Sequence, residues 1–191
     1  MTPTTDPLRD WFDDHGWCVD AREWYDFLPA ADCTAERVWA LCDRGDWLLW
    51  WHVIAGTPRE MLAPVVYRAA DRACREYAPA ALQAAGLTEQ AQSLRSLAPV
   101  VDRATARTAW DAARDVWAAM DAAREFAGAV AWAVWAAMDA ARAAGAAAGD
   151  AEPAAWVAAE AAGDAGDAEL RRCAEDCREL LGPPGQLGDH R

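Results

Sequence analysis

Six cysteines and three histidines are the residues of widest chemical reach in this chain of 191 residues. His15-Gly16-Trp17-Cys18 has the spacing of a zinc-ligand pair, and Cys33 and Cys42 follow it. A structural zinc takes four such side chains in a tetrahedron. No Cys-x-x-Cys pair accompanies them, however, and His15, His52 and His190 lie far apart. The balance favours reduced thiols acting as small apolar residues, with no metal and no cofactor. Cys173 and Cys177 stand four positions apart, on one face if their segment is helical. His52 interrupts the apolar run Trp47–Ala55, where a hydrogen-bonded core histidine is the expected reading. Asp46, just before that run, reads as a helix N-cap in preference to a buried functional carboxylate. Acidic pairs such as Asp13-Asp14 arise by chance among 31 carboxylates. The chain contains no GxSxG, P-loop, GxGxxG or HExxH, so no catalytic residue is assigned and no enzymatic activity is expected.

A different pattern carries more information. Val116-Trp117-Ala118-Ala119-Met120-Asp121-Ala122-Ala123-Arg124 returns unchanged as Val134-Trp135-Ala136-Ala137-Met138-Asp139-Ala140-Ala141-Arg142. The offset is about five turns at roughly 3.6 residues per turn, so on one unbroken helix both copies would share a face. On that wheel Trp110, Trp117, Trp132 and Trp135 cluster, together with Asp121, Asp139, Arg124 and Arg142. Val116, Met120, Val134 and Met138 form a separate apolar stripe. Each Asp–Arg pair is an ordinary i,i+3 contact in the plainer reading, with the indoles as interhelical spacers. In the functional reading Trp117, Asp121, Arg124, Trp135, Asp139 and Arg142 form a contact patch, because Trp and Arg dominate interface hot spots.

The elements that must hold these residues read as helices throughout. Asp6-Pro7 opens the first and Gly16 closes it. Asp20–Phe27 forms a second, and Thr34 caps a third that runs to Cys42. Asp46 opens Trp47–Ala55, which is apolar all round and therefore central to the fold. Thr57-Pro58-Arg59-Glu60 is a capping box for a helix towards Tyr77, with a bend at Pro64. Pro79, Gly86 and Thr88 delimit shorter pieces. Pro99 starts an alanine-rich region, Pro153 restarts a helix, and a last helix spans about 167–181. A single rod over residues 99–148 would be about 75 Å long at roughly 1.5 Å per residue. A domain of this size has a radius of gyration of only about 16 Å. A break near Gly128, giving two packed helices, is expected instead. The fold class is therefore all-α, a compact multi-helix bundle. Residues 1–182 form one domain, and 183–191 a disordered tail.

Composition sets the packing. Alanine supplies 49 residues, 22 of them between positions 101 and 150, while 12 tryptophans supply the bulk. All 18 basic residues are arginine, against 31 acidic ones, for a net charge of −13. That balance argues against binding nucleic-acid phosphates and favours a basic protein partner or simply solubility. The N-terminus lacks the basic and apolar regions of a secretory signal. The longest charge-free apolar run, Phe126–Met138, is too short to span a bilayer. A cytoplasmic protein without membrane contact is expected.

Residues 17–51 carry a family resemblance. Trp17-Cys18-x-x-Ala21-Arg22-Glu23-Trp24 is followed by Thr34-x-x-Arg37-Val38-Trp39-x-x-Cys42 and then by Asp43-Arg44-Gly45-Asp46-Trp47-Leu48-Leu49-Trp50. This resembles the bacterial Imm-5-like immunity proteins, whose C-x-x-A-x-x-W helix precedes a W-x-x-C-x-R-x-D-W-x-x-W segment. Glu169–Arg172 through Arg178–Leu181 is similar to their closing helix, so the likeness covers about 15–181. The signature positions here are Cys42, Arg44, Asp46, Trp47 and Trp50. The chain departs in using Trp where that family's alanine-rich stretch uses Tyr. The resemblance implies an all-α protein that neutralises a cognate toxin by direct binding, and no catalytic or toxin-contacting residue is carried over. Two alternatives stand beside this expectation: a scaffold whose Trp/Ala helices drive homo-oligomerisation, and a helical bundle with a small-ligand or enzymatic site.

Overall fold

The computed structural model describes residues 6–123, 128–146 and 165–184, and every regular element among them is helical. Helices α1 (Pro7–His15), α2 (Val19–Asp26) and α3 (Ala35–Leu41) are short and sharply capped. The Asp6 carboxylate accepts the Arg9 amide at 3.1 Å, and the Thr34 hydroxyl accepts the Arg37 amide at 3.3 Å. Gly16 ends α1 with φ +73°, a left-handed turn that glycine adopts without steric cost.

Helix α4 (Gly45–Ile54) corrects one expectation. Asp46 does not cap it; Arg44 takes the capping position, and Asp46 lies one residue inside, buried. Its carboxylate instead accepts the Arg44 guanidinium at 2.9 and 2.6 Å. A bidentate charged pair is a stronger use of a buried carboxylate than one backbone amide. Thr57 does not close a capping box either. Its hydroxyl bonds His52 Nδ1 at 2.8 Å, and helix α5 (Arg59–Arg72) starts without a side-chain cap.

Pro64 lies inside α5, which passes into a π turn (Ala73–Tyr77) and then α6 (Ala78–Ala84). Pro79 was expected to mark a boundary. The chain stays helical because the turn before it widens, with the Ala78 amide reaching back five residues to Ala73. The wider turn relieves the clash between a proline ring and the carbonyl four residues earlier. Helix α7 (Thr88–Arg95) follows.

Helices α8 (Arg103–Ala123) and α9 (Gly128–Gly145) replace the single rod, as the length argument required. Arg103 and Arg107 of α8 share a pocket with Arg142 and Gly145 of α9, so the two helices run antiparallel. Helix α9 is central, touching α5, the π turn, α6 and α8. Its alanines at 136, 137, 140, 141 and 144 are buried, and small side chains let these backbones approach closely. Val116, Met120 and Val134 are buried as the stripe predicted, and Met138 is half-buried against the same core.

Helix α10 (Gly166–Leu180) packs on α4 and α5. Glu169 on it is fully buried and receives Arg72 Nε at 2.8–2.9 Å and Nη2 at 2.7 Å. Tyr77 donates its hydroxyl to the same carboxylate at 2.5 Å. Arg72 Nη1 continues to Asp176 at 2.7 Å, which Arg68 also reaches at 2.7 Å. Burial works against the Arg72 charge, yet its two carboxylates hold it more firmly protonated than a free guanidinium. Buried residues from Leu8 to Cys177 form one contiguous apolar cluster. Among the described residues, no helix is long and apolar enough to cross a membrane. The expected helix after Pro153 and residues 185–191 of the expected tail lie outside the described residues, whereas Pro183 and Pro184, placed in that tail, are described, with Pro184 buried.

His52 fixes the far end of α4. Nε2 lies 3.1 Å from the Gly182 carbonyl, which can only accept, so Nε2 carries the proton and Nδ1 accepts from Thr57. Burial pushes the imidazole down from 6.5 to about 4. The unfolded chain therefore takes up a proton near pH 6.5, while the native one resists until about pH 4. His52 costs no stability above pH 6.5, and its contribution falls away as pH drops to about 4, a loss of about 3 kcal/mol. A His52→Gln chain, which can donate to Gly182 and accept from Thr57 without titrating, should show a shallower loss in urea unfolding between those pH values. Parallel pH profiles for the two chains would refute this.

Candidate functional site

The first three helices meet α4 differently from the way the alanine helices meet. Few of their backbone positions come close to the rest of the fold, and large rings bridge the gap. Phe12 is the hub: its ring lies 4.9 Å from Trp17, 5.1 Å from Trp51 and 6.1 Å from Trp50. Trp17 packs edge-on to Tyr25 at 5.3 Å, and Trp24 faces Trp47 at 6.0 Å. Rings held this far apart leave a half-open cleft of about 190 Å³ between α1, α2, α3 and α4. Five of the tryptophans that supply the chain's bulk wall this space without filling it.

Polar groups around the cleft are mostly committed. Tyr25 donates to Asp6 at 2.9 Å, and burial followed by that hydrogen bond pushes its phenol up. Trp17 donates its indole N–H to Asp13 at 2.9 Å, and Arg22 pairs with the same carboxylate. That carboxyl is held below the usual range by Trp17 first and Arg22 second. Trp51 carries a buried donor without a partner. Its ring is 2 % exposed, and among the described residues its buried N–H has no acceptor.

Of the signature positions, Cys42, Trp47 and Trp50 line the cleft, and Arg44 and Asp46 lie beside them in sequence. Arg44, paired to Asp46, stacks its guanidinium 4.5 Å from the centre of the Trp47 ring. Trp47 and Trp50 are half-buried and line the cleft with Cys42. The Cys42 thiol donates to the Arg44 carbonyl at 3.6 Å, and burial pushes it up to about 12. Arg178 of α10 closes this corner by donating to the Trp39 carbonyl at 3.3 Å and to that of Cys42. Asp43 pairs with Arg171 of α10 at 3.3 Å just outside.

The six patch residues do not gather as one unbroken helix would have placed them. Trp117 is half-buried and Asp121 exposed on α8, while Trp135, Asp139 and Arg142 belong to antiparallel α9. Arg124 lies outside the described residues. The α9 members do share a stripe. Trp132, which the patch omitted, is 49 % exposed and stacks on Trp135 at 4.9 Å. Arg142 bonds Asp139 at 2.7 Å further along the same face. The i,i+3,i+7 spacing of Trp132, Trp135 and Asp139 could have singled out Trp132.

His15 stacks on Trp11 and bonds its carbonyl at 2.7 Å, and no group of three metal-type side chains occurs among the described residues. Cys173 and Cys177 are free thiols side by side, and the hydrogen bond between them, then burial, raises the Cys173 thiol well above the ordinary value. Neither the imidazole of His52, bonded on both nitrogens, nor these buried thiols is poised as a base or nucleophile. No family model, no curated protein and no solved structure matches the chain.

Proposed function

We propose that this chain is a non-catalytic protein-binding module that neutralises a basic cognate toxin by direct contact. The observation that carries the reading is the stacked Trp132–Trp135 pair on the solvent side of α9, with the Asp139–Arg142 pair beside it. Half-exposed indoles on an otherwise buried helix expose apolar area that a partner would cover, and Trp and Arg are the side chains that dominate binding energy. The charge of −13 adds long-range attraction for a basic partner and speeds encounter. The resemblance of residues 17–51 to immunity proteins points the same way.

The test starts from the reading frames beside this gene. A toxic C-terminal module encoded there is expressed alone and with this chain, and growth is scored. Wild-type protein should rescue growth and bind the purified module one-to-one. A Trp132→Ala/Trp135→Ala chain should bind about thirtyfold more weakly or worse. Full rescue by that chain with unchanged affinity would discard the stripe, and no binding by the wild type would discard the reading. A scaffold role predicts instead that the wild type sediments as a concentration-dependent oligomer, which the double variant abolishes.

A further inference from the structure

The geometry points to the aromatic cleft as a binding site for a small quaternary ammonium cation, a trimethylammonium group on a short tail. This goes beyond the protein-partner reading and does not depend on it.

Shape comes first. Trp17 and Tyr25 meet at 74°, Phe12 and Tyr25 at 80°, and Trp24 and Trp47 at 59°. All of these rings line the cleft, so they confront its space from several directions. A flat ligand can stack on one or two of them, whereas a compact, nearly spherical group can meet several at once. Size agrees. The cleft holds about 190 Å³. An apolar cavity of about 150 Å³ takes up benzene, and a trimethylammonium group is close to benzene in bulk, which leaves room for a short tail.

Charge follows from the rings and from what surrounds them. The face of an aromatic ring attracts a cation within about 6 Å of its centre, tryptophan most strongly, and aromatic cages hold methylated ammonium groups in this way. This chain already seats a cation of its own on one of these rings: Arg44 lies 4.5 Å from the centre of Trp47. Arg44 does not line the cleft, and Asp46 neutralises it at 2.6 Å. Residues 6–54 carry 11 carboxylates against four arginines. Each arginine pairs with a carboxylate: Arg9 with Asp26, Arg22 with Asp13, Arg37 with Asp32 and Arg44 with Asp46. Asp14, Asp20 and Glu23 are exposed and enter no ion pair among the described residues. They stand within two positions of Gly16, Cys18 and Trp24, which line the cleft. This excess of negative charge draws a cation to the mouth.

Methylation is argued from what the lining lacks. No carboxylate, amide or aliphatic hydroxyl side chain borders the cleft. Tyr25 gives its hydroxyl to Asp6, Trp17 its N–H to Asp13, and Cys42 its thiol to the Arg44 carbonyl. A primary ammonium carries three N–H donors and would enter short of acceptors. A quaternary nitrogen carries none.

Choline, ethanolamine and dimethylbutanol test this together. Ethanolamine keeps the charge without the methyl groups, and dimethylbutanol keeps the methyl groups with carbon in place of nitrogen. Each is titrated into the nitrogen-15-labelled full chain while the indole N–H signals are followed by NMR. Each signal is identified by its loss in the matching Trp→Phe chain. Choline should saturate, move the signals of the cleft tryptophans, and bind about tenfold more tightly than either analogue. Cys18 is exposed, lines the cleft and gives α2 no side-chain cap, so it can be replaced without loss of a bond there. Cys18→Arg should bind choline about tenfold more weakly than Cys18→Glu, a side chain of similar reach and opposite charge. No saturable shift with choline, or shifts centred on Trp132 and Trp135, would overturn the site. Dimethylbutanol binding as tightly as choline, or equal affinity in the two Cys18 variants, would overturn the cation. Ethanolamine binding as tightly would overturn the methyl requirement. The same group occurs on lipids: sedimentation of the chain with phosphatidylcholine vesicles would assign it to a headgroup, and a chain that binds choline yet stays in the supernatant would assign it to a free molecule.

Discussion

Replacing Arg72 by leucine should destabilise the fold by about 3–5 kcal/mol, the cost of leaving a buried carboxylate without its partner. Glu169 is fully buried, and three of its four hydrogen bonds come from the Arg72 guanidinium. Without them only the Tyr77 hydroxyl remains, and Asp176 keeps Arg68 alone. The pair is not itself a large source of stability, because both ions gave up their hydration to form it. Its strength lies in the penalty for separating them. An Arg72→Leu/Glu169→Leu chain should therefore regain at least half of the loss. Urea unfolding at constant m-value measures both chains. A single variant within about 1 kcal/mol of wild type, or a double variant no better than the single, would contradict this account.

That cluster was hidden in the sequence for a physical reason. Arg68 and Arg72 stand four apart on α5, and Glu169, Asp176 and Glu179 stand seven and then three apart on α10, spacings that within one helix look like an ordinary solvated face. Only the docking of α10 on α5, across some hundred residues, turns two such faces into one buried network. Local signals read better. Asp6-Pro7, Gly16 and Thr34 act where their types placed them, because a cap depends on three or four neighbouring residues. Asp46 and Thr57 failed for the converse reason: a tertiary or cross-turn partner, Arg44 or His52, outbid the backbone amide each was expected to satisfy. The π turn before Pro79 lay beyond local reading because helix packing on both sides holds the chain helical where proline alone would end it.

The repeat makes the same point with unusual control. Its two copies are identical, yet Ala118 and Ala119 on α8 are exposed while Ala136 and Ala137 on α9 are completely buried. What differs is the flanks. Asp111, Arg114 and Asp115 keep one face of α8 in water, whereas Gly128–Ala133 leads into the second copy with no charge at all. The cleft, too, follows from composition only after the fact. Alanine lets α8 and α9 close up, and tryptophan keeps α1–α3 at a distance from α4, so the space appears where the rings are.

The junction of these two packing regimes is Gly45, and Gly45→Ala should cost at least about 2 kcal/mol, toward the upper part of the range for overpacking. A Cβ added there would sit 2.5 Å from Cys173 Cβ and 2.7 Å from the Ala174 amide nitrogen and the Cys173 carbonyl carbon. Two of those three atoms are backbone, so no rotamer change relieves the clash, and α4 and α10 must separate. Intrinsic propensity argues the other way, since alanine in place of glycine favours a helix by about 1 kcal/mol. The sign of the measured change therefore decides which effect rules. The same separation would strain the Arg44–Asp46 and Arg178–Cys42 corner one residue away, loosening the wall of the cleft as well. Gly145→Ala, at the end of α9 with nothing within 4 Å of the added methyl, should be neutral or slightly stabilising and serves as the control. Equal melting temperatures for the two variants would mean that α10 does not rest on α4 at that contact.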